Sequence, residues 1–210
     1  ADQQLGLSQT HYTKHRKPLL AVNLESQQSG RKYRLTSALS GKYQLKNLVT
    51  VISAIEKLQE KGYTIQKNNI ISGIRKVITN TGLMGRWQTI AQHPLTIADI
   101  GHNPDGIREV LEQIALTPHN KLHFVIGVVN DKDVKAMLSS LPRNAAYYFC
   151  KANIPRGMDA MELSKIAQEF SLKGKAFSSV KDALFSSLKT AGVSDQEMVA
   201  ASAYVVAEEV

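Results

Sequence analysis

The stretch at residues 95–104, which reads Leu-Thr-Ile-Ala-Asp-Ile-Gly-His-Asn-Pro, decides the fold of this chain. Its first four residues form a short run that predicts a buried strand. The apolar residues that follow recur at helical spacing: Ile107, Val110, Leu111 and Ile114. Residues 99–104 therefore make a strand-to-helix turn, with Pro104 in the first turn of the helix. Ligands of α/β folds collect at such turns.

Outward from this turn, strands and helices alternate through the rest of the chain. The pattern predicts strands near 87–92, 95–100, 122–128, 146–150 and 197–202, and helices near 104–116, 133–141, 159–170 and 179–191. Such alternation is typical of a largely parallel sheet covered by helices on both faces. Polar clusters follow four of these strands, at residues 99–104, 127–133, 153–157 and 201–203. We expect them at the carboxyl edge of one sheet.

The first 79 residues follow a different pattern. Strands are predicted at 18–24 and 31–36 around a polar turn, followed by a helix that Gly62 closes and a second helix at about 67–78. A breaker cluster at 80–82 favours a hinge. Residues 1–4 carry no helix or strand signal and no methionine precedes Met84, so we expect a piece cut from a longer chain.

Charge also separates the two parts of the chain. The whole sequence has a formal net charge of +8. Residues 1–79 hold 13 Lys/Arg and 4 Asp/Glu, a net +9, whereas residues 80–210 hold 13 and 14, a net −1. The basic residues at 14–17 and 31–34 favour a polyanion such as nucleic acid, a phosphorylated ligand or a polycarboxylate. A solvated basic face is the simpler alternative.

Composition and motifs exclude several classes of protein. Hydrophobic residues make up 43% of the chain, yet no apolar run approaches the roughly 18 residues that span a bilayer. We therefore expect a soluble, cytoplasmic protein, and the single cysteine, Cys150, lies in an apolar run that indicates core. The sequence has no Walker-type phosphate loop, no zinc-ligand spacing, no nucleophile elbow and no dinucleotide fingerprint.

Arg86 and Asp99 carry the chemistry that the sequence favours. A guanidinium in the segment that enters the first strand of the alternating region suits bidentate contact with phosphate, with an ion pair as the alternative. Asp99 at a strand end suits ribose hydroxyls, with a helix cap or turn former as the alternative. His102 and Asn103 follow, where free helix amides also attract anions. Residues 131–133 either contact ligand or form a cap and a salt bridge.

Taken together, six segments resemble the folylpolyglutamate synthase/dihydrofolate synthase family, which belongs to the Mur ligase superfamily. The segments are residues 39–47, 85–87, 99–104, 131–133, 154–156 and 202–208. The resemblance covers about residues 35–210. Tyr43 replaces the histidine that is usual in the family, and Ala201 replaces the usual glycine before Ser202.

The resemblance implies a division of the chain and a set of roles. Residues 1–79 look like the C-terminal part of a central ATP-binding domain, 80–84 like a hinge, and 85–210 like a Rossmann-like C-terminal glutamate ligase domain with a mostly parallel sheet. Arg86 and His102 would be catalytic. The residues that would bind the nucleotide are Arg86, Asp99, His102 and Asn103. The residues that would bind L-glutamate are His102 and Ser202.

The implied reaction forms an amide bond. ATP phosphorylates the carboxylate of a pteroate or folate, and the L-glutamate amine then displaces phosphate. ATP and Mg²⁺ would be the cofactors, with the metal ligands upstream of this chain. The chain would be an inactive part of a monomeric enzyme that binds neither nucleic acid nor membrane. Two alternatives stay open: a Mur-type ligase for a cell-wall nucleotide precursor, and a non-catalytic basic module that binds nucleic acid.

Overall fold

The computed structural model describes residues 5–12, 19–27, 29–101, 103–130, 134–151 and 153–201. The chain divides into two compact units, Ala1–Leu83 and Met84–Val210. Among the helices in the described ranges, none is both long enough and apolar enough to cross a bilayer. The fold is mixed α/β, as the alternation of strands and helices predicts.

The first unit contains a three-stranded antiparallel sheet and three helices. Its strands are β1 (Leu5–Tyr12), β2 (Leu20–Ser26) and β3 (Lys32–Ser37), in that spatial order. Its helices are α1 (Gln44–Glu60), α2 (Lys67–Arg75) and α3 (Val77–Thr81). Alternate residues of β2 and β3 face the helices, because successive side chains of a strand point to opposite faces. The core that they form with α1 and α2 consists of Leu20, Val22, Leu24, Tyr33, Leu35, Leu48, Val49, Ile52 and Ile70.

The strands predicted at 18–24 and 31–36 are confirmed as β2 and β3, but two other features of this unit differ from expectation. The sequence did not predict β1, which pairs with β2 through an irregularity between Leu7 and Gln9. The single helix expected at about 67–78 is wrong. The backbone departs from helical geometry at Lys76, with φ −101° and ψ 16°, so α2 ends there and α3 begins. Gly82 then ends α3 in the left-handed conformation.

The second unit is built on one six-stranded sheet. Its strands are β4 (Gln88–Gln92), β5 (Leu95–Asp99), β6 (Leu122–Gly127), β7 (Ala146–Cys150), β8 (Gly174–Phe177) and β9 (Gln196–Ala201). Its helices are α4 (Pro104–Ala115), α5 (Val134–Ser139), α6 (Ala160–Glu169) and α7 (Val180–Thr190). The spatial order is β4-β5-β9-β6-β7-β8. Among the described strand pairs of this sheet, β4 with β5 is antiparallel and the others are parallel, so the expected mostly parallel sheet is confirmed.

Helices cover both faces of this sheet because the chain reverses direction across it. After β5, the helices α4, α5 and α6 lead in turn to β6, β7 and β8. Each of these strands lies farther along the sheet in the same direction. Helix α7 then returns the chain to β9, and a right-handed connection in the opposite direction lies on the opposite face. Accordingly, α4, α5 and α6 share a core with Phe124 and Tyr147, while α7 packs with Val125 and Tyr148.

The other strands and helices of this unit lie close to their predicted bounds, but β8 was not predicted. Its four residues, Gly-Lys-Ala-Phe, contain no apolar run, and it lies at the edge of the sheet. A Cβ atom at Gly174 would lie 2.2 Å from the Tyr147 carbonyl oxygen, so only glycine lets β8 approach β7 this closely. Cys150 is fully buried and not in a disulfide, as expected for a core residue.

Candidate functional site

Three neighbouring parallel strands, β5, β9 and β6, bring their carboxyl ends to one edge of the second unit's sheet. Ala200 in β9 is in register with Asp99 on one side and with Ile126 on the other. The segments that follow these strands therefore start side by side. Three predicted groups belong to these segments but lie outside the described residues: His102, residues 131–133 and Ser202.

Asp99 is the last residue of β5 and is only 2% exposed. The Trp87 amide donates to Oδ2 at 2.8 Å, and the Gly101 amide donates to Oδ1 at 2.9 Å. Hydrogen bonds to an ionised carboxylate are roughly twice as strong as neutral ones. The carboxylate thus joins the segment before β4 to the turn after β5. Asp99 therefore acts as a turn former, which is one of the two roles that the sequence left open. Its contact with a nucleotide sugar stays a prediction.

The segment before β4 has a backbone conformation that is rare outside glycine. Gly85 has φ +69° and Trp87 has φ +53°, and bulky residues seldom occupy this region. The Ile100 amide donates to the Gly85 carbonyl oxygen at 2.9 Å, and the Gly85 amide donates to Gln88 Oε1 at 2.8 Å. Trp87 is 5% exposed and packs in the main core. Such a conformation persists because hydrogen bonds and packing hold it together.

Arg86 lies between Gly85 and Trp87 and is half-buried. Its guanidinium makes no hydrogen bond or ion pair with any other residue that the structure describes. Partial removal of a cation from water costs free energy unless a partner compensates for it. The five N–H donors of a guanidinium match the oxygens of a phosphate or carboxylate in a forked geometry. The loop beside the carboxyl end of β5 therefore carries a cation that pairs with no other described residue.

The turn after β5 enters α4 through a capped helix start. Asn103 is the N-cap, and its side-chain oxygen accepts from the Gly106 amide at 2.7 Å. The Asn103 carbonyl oxygen accepts from the Ile107 amide at 2.9 Å, and Asp105 adds a carboxylate to the first turn. From the sequence we expected free amides for an anion at this helix start. Because the Asn103 side chain engages the Gly106 amide and Pro104 has no N–H, fewer amides are available than expected.

Two glycines let the turn lie tightly against α4. A Cβ atom at Gly101 would lie 3.2 Å from the carbonyl carbon and oxygen of Gly106. A Cβ atom at Gly106 would lie 3.1 Å from Asn103 Oδ1 and 3.2 Å from the Gly101 Cα atom. All of these distances are shorter than ordinary contacts, so a side chain at either position would push the turn away from the helix.

The loop after β7 folds back along the segment after β6. Val129 and Gly157 form an antiparallel bridge, and the Asn130 amide donates to the Arg156 carbonyl oxygen at 2.9 Å. The Met158 amide donates to the carbonyl oxygen of the residue after β6 at 2.9 Å. Exposed Arg156 is thereby brought beside Asn130. The sequence indicated no role for Arg156 on its own, because a loop that doubles back leaves no periodic signal.

A second buried polar cluster lies at the opposite, amino end of the strands. His123 is fully buried, with Nδ1 3.0 Å from Tyr148 Oη and Nε2 3.3 Å from Asp195 Oδ2. Burial lowers the pKa of His123, and the Asp195 carboxylate opposes that shift. The pKa of Asp195 is itself lowered, chiefly by the hydrogen bond that its carboxylate accepts from the Gly192 amide. This cluster links β6, β7 and the segment before β9 and is remote from the carboxyl edge.

Comparison with known proteins assigns the chain to a family. Residues 85–203 match the family model described as Mur ligase, glutamate ligase domain. A "Probable bifunctional folylpolyglutamate synthase/dihydropteroate synthase" of Haloferax volcanii is 32% identical over 173 residues, which are 81% of this chain and 20% of that protein. The "Dihydrofolate synthase/folylpolyglutamate synthase" of Escherichia coli is 30% identical over 157 residues, which are 74% of this chain and 35% of that protein.

A solved structure agrees with these relatives. "E.coli FolC in complex with DHPP and ADP" superposes with a TM-score of 0.76 and 25% sequence identity, over 98% of this chain and 44% of that chain. The chain thus spans less than half the length of each of these three relatives. It belongs to the Mur ligase family through its glutamate ligase domain, and it corresponds to the C-terminal portion of the folylpolyglutamate synthase/dihydrofolate synthase proteins.

Proposed function

We propose that this chain is the C-terminal part of an ATP-dependent amide ligase that adds L-glutamate to dihydropteroate, to folyl (poly)glutamates, or to both. The observation that carries the proposal is Arg86, a half-buried cation without a partner among the described residues. A buried carboxylate holds its loop at the carboxyl edge of the sheet, where α/β folds bind ligands. The ligands DHPP and ADP in the FolC structure support a nucleotide and a folate-type substrate.

In the proposed reaction, a carboxylate oxygen of the pteroate or folate attacks the γ-phosphorus of ATP, and ADP leaves. The L-glutamate amine then attacks the acyl phosphate carbon, phosphate leaves with the electrons of the C–O bond, and the nitrogen loses a proton. Negative charge builds on the phosphoryl oxygens in the first step and on the carbonyl oxygen in the second. The Arg86 guanidinium is the cation of this chain that we assign to stabilise that charge.

We assign the remaining roles by resemblance. Asp99 would hold the nucleotide sugar or base, and Asn103 would contact the nucleotide. His102 would lie beside phosphate and L-glutamate, and Ser202 would bind the glutamate carboxylate. Because Asp99 is buried against two backbone amides, we give it a first task as a positioning residue that fixes the loop of Arg86.

Mg²⁺, when bound, would neutralise charge on the transferring phosphoryl group. In the parts of the chain that the structure describes, no three or more His, Cys, Asp or Glu side chains cluster so as to hold a metal ion. By resemblance, we place the metal ligands in the part of the longer enzyme upstream of this chain, and we assign no step in this chain to the metal.

We further propose that the 210 residues are inactive alone, because they span less than half of the relatives and supply one wall of the site. The complete protein would act in the cytoplasm as a monomer, on small molecules. Folate-dependent ATP turnover by the purified 210-residue chain would contradict this assignment.

The experiment that tests the function measures glutamate-dependent ADP release by the complete protein with three acceptors. The acceptors are dihydropteroate, a reduced folate monoglutamate and a cell-wall nucleotide precursor. We expect turnover on at least one of the two pterin acceptors. Turnover on the cell-wall precursor alone would assign the chain to another Mur ligase activity. No turnover on any acceptor would contradict the proposed ligase.

A further inference from the structure

Two adjoining clefts lie on the surface of the first unit, between β3 and α2. One has a volume of about 410 Å³ and the other of about 510 Å³. Lys32, Tyr33 and Lys67 line both clefts, so the two lie side by side and together form one trough-like surface. Arg31 adds a cation to the first cleft and Arg34 adds one to the second. We call the surface around Arg31, Lys32, Arg34 and Lys67 the basic trough.

The cations of the basic trough are poorly neutralised. Arg34 and Lys67 are exposed and make no hydrogen bond or ion pair with any other described residue. Arg31 donates to the neutral amide oxygen Oε1 of Gln59 at 2.6 Å. Of the described lining residues, only Glu25 carries a carboxylate, and it lies 3.6 Å from the Lys32 ammonium, with both side chains at least half exposed. The trough therefore retains most of its positive charge.

The start of α2 adds to this positive potential. Gln66, the N-cap of α2, makes no side-chain hydrogen bond to the helix, and the first turn contains no acidic residue. An uncapped helix start carries a partial positive charge. Lys67 is the first residue of α2 and lines the trough. Residues 1–79 as a whole carry a net charge of +9, from 13 basic and 4 acidic residues, so the wider surface also attracts anions.

We propose that the basic trough binds a linear polycarboxylate, the poly-γ-glutamate tail of a folate. The choice of this anion rests on the proposed function, since glutamate addition yields a chain with one carboxylate per added residue. Two adjoining clefts that share Lys32 and Lys67, with Arg31 in one and Arg34 in the other, suit a ligand that carries several carboxylates. A single glutamate has too few charges to span both clefts.

Binding of nucleic acid and protection of a sheet edge both fit the trough less well. Single-stranded nucleic acid needs aromatic faces on which bases stack. The aromatic residue of the trough, Tyr33, is 3% exposed, and its hydroxyl donates to Glu56 Oε1 at 3.1 Å. Charged residues on an edge strand such as β3 also discourage other strands from pairing with it. Protection of the β3 edge requires neither a cleft nor Lys67, which lies on α2.

The test uses the 210-residue chain and two probes, an N-acetylated γ-linked pentamer of glutamate and N-acetylglutamate. We expect the pentamer to bind by calorimetry at low salt, with N-acetylglutamate much weaker and added salt reducing the affinity. The double variant Arg34→Gln/Lys67→Gln should weaken pentamer binding by about five-fold, because it removes two exposed ion pairs to the carboxylates.

A matched control separates the trough from net charge. Lys61→Gln/Arg75→Gln removes the same charge from exposed positions of the same unit that line neither cleft, and it should bind the pentamer nearly as the parent does. Equal losses in the two double variants, or equal binding of the two probes, would overturn the proposal. Tighter binding of a single-stranded oligonucleotide of the same charge would also overturn it. Arg86→Ala should bind the pentamer as the parent does. The outcome of the pentamer-binding test is therefore independent of the outcome of the turnover test.

Discussion

Each unit of the molecule contains a buried carboxylate, and the two are satisfied in different ways. Asp99 in the second unit is 2% exposed and accepts from two backbone amides, those of Trp87 and Gly101. Glu56 in the first unit is 9% exposed and accepts from three hydroxyls. The donors are Ser26 Oγ at 3.0 Å, Ser29 Oγ at 2.8 Å and Tyr33 Oη at 3.1 Å.

The difference teaches what each carboxylate fixes. The N–H bond of a backbone amide points in one fixed direction, so the Asp99 carboxylate orients the backbone of both segments that donate to it. One of these segments contains a tryptophan at positive φ. A hydroxyl rotates about its C–O bond and turns toward water when its acceptor is lost. Glu56 therefore ties side chains of the β2–β3 region to α1 without dictating a loop conformation. Loss of Asp99 should be more costly than loss of Glu56.

The largest expected effect is that of Asp99→Ala. One buried and one half-buried amide lose a charged acceptor, and we expect the free energy of unfolding of the second unit to fall by about 4 kcal/mol. Urea denaturation of the 210-residue chain measures it. Asp99→Asn retains one acceptor oxygen and should lose about half as much. Asp105→Ala, at a side chain that is 86% exposed, is the control, and equal losses in the two alanine variants would break the comparison.

Glu56→Gln should cost about 1 kcal/mol, less than the matched Asp99→Asn, because its three hydroxyl partners can reorient. Urea denaturation measures this change as well, with exposed Glu60→Gln as the matched control. A double-mutant cycle with Tyr33→Phe sharpens the prediction, since residues in one hydrogen-bond network couple by about 0.5–3 kcal/mol. Additive effects of the two substitutions would mean that Tyr33 and Glu56 are not coupled.

Asn103→Ala should cost about 1 kcal/mol, the usual value for a lost N-cap. Ser179 provides a matched cap at the start of α7, where its hydroxyl accepts from the Asp182 amide at 3.0 Å. Ser179→Ala should lose a similar amount of stability. If the turn before α4 forms part of the site, only Asn103→Ala should also reduce ADP release by the complete protein. Equal turnover in the two variants would remove Asn103 from the site.

The smallest expected effect is a dependence of stability on pH from His123. Its pKa in the folded state lies below the ordinary value of 6.5, chiefly because of burial, so the unfolded chain binds the proton first. Its contribution to stability is complete above that ordinary value and is lost as the pH falls toward the folded-state pKa. His123→Gln should flatten urea midpoints measured through this range, whereas exposed His93→Gln should not. An unchanged slope in His123→Gln would contradict the assignment.

The sequence predicted the arrangement of the second unit better than its contacts. Alternating apolar runs predict β5, α4, β6 and their successors, because burial on both faces of a parallel sheet leaves a periodic signal. The sequence did not predict β8, which can approach β7 only because Gly174 has no side chain. It placed Asp99 at the right edge but not its amide partners, because no pattern predicts a tryptophan at positive φ.

In the first unit, the sequence predicted the hairpin of β2 and β3 but not the role of Glu56. The three hydroxyls that reach its carboxylate lie 23 to 30 residues away along the chain. A helix residue with such distant partners looks like any exposed glutamate when only the sequence is known. The basic residues of β3 were predicted to attract a polyanion, but their arrangement around one trough with Lys67 depends on how α2 packs beside β3.

The turnover of Arg86→Ala in the complete protein tests the role of the guanidinium most directly. We expect kcat/KM for ATP to fall by at least about 100-fold, the usual cost of removing one group that stabilises transition-state charge. The urea midpoint should stay unchanged, because Asp99 and not the guanidinium holds the loop. Arg143→Ala, an exposed arginine before β7, is the control. A loss no larger than that of the control would contradict the assignment of Arg86 to the phosphates.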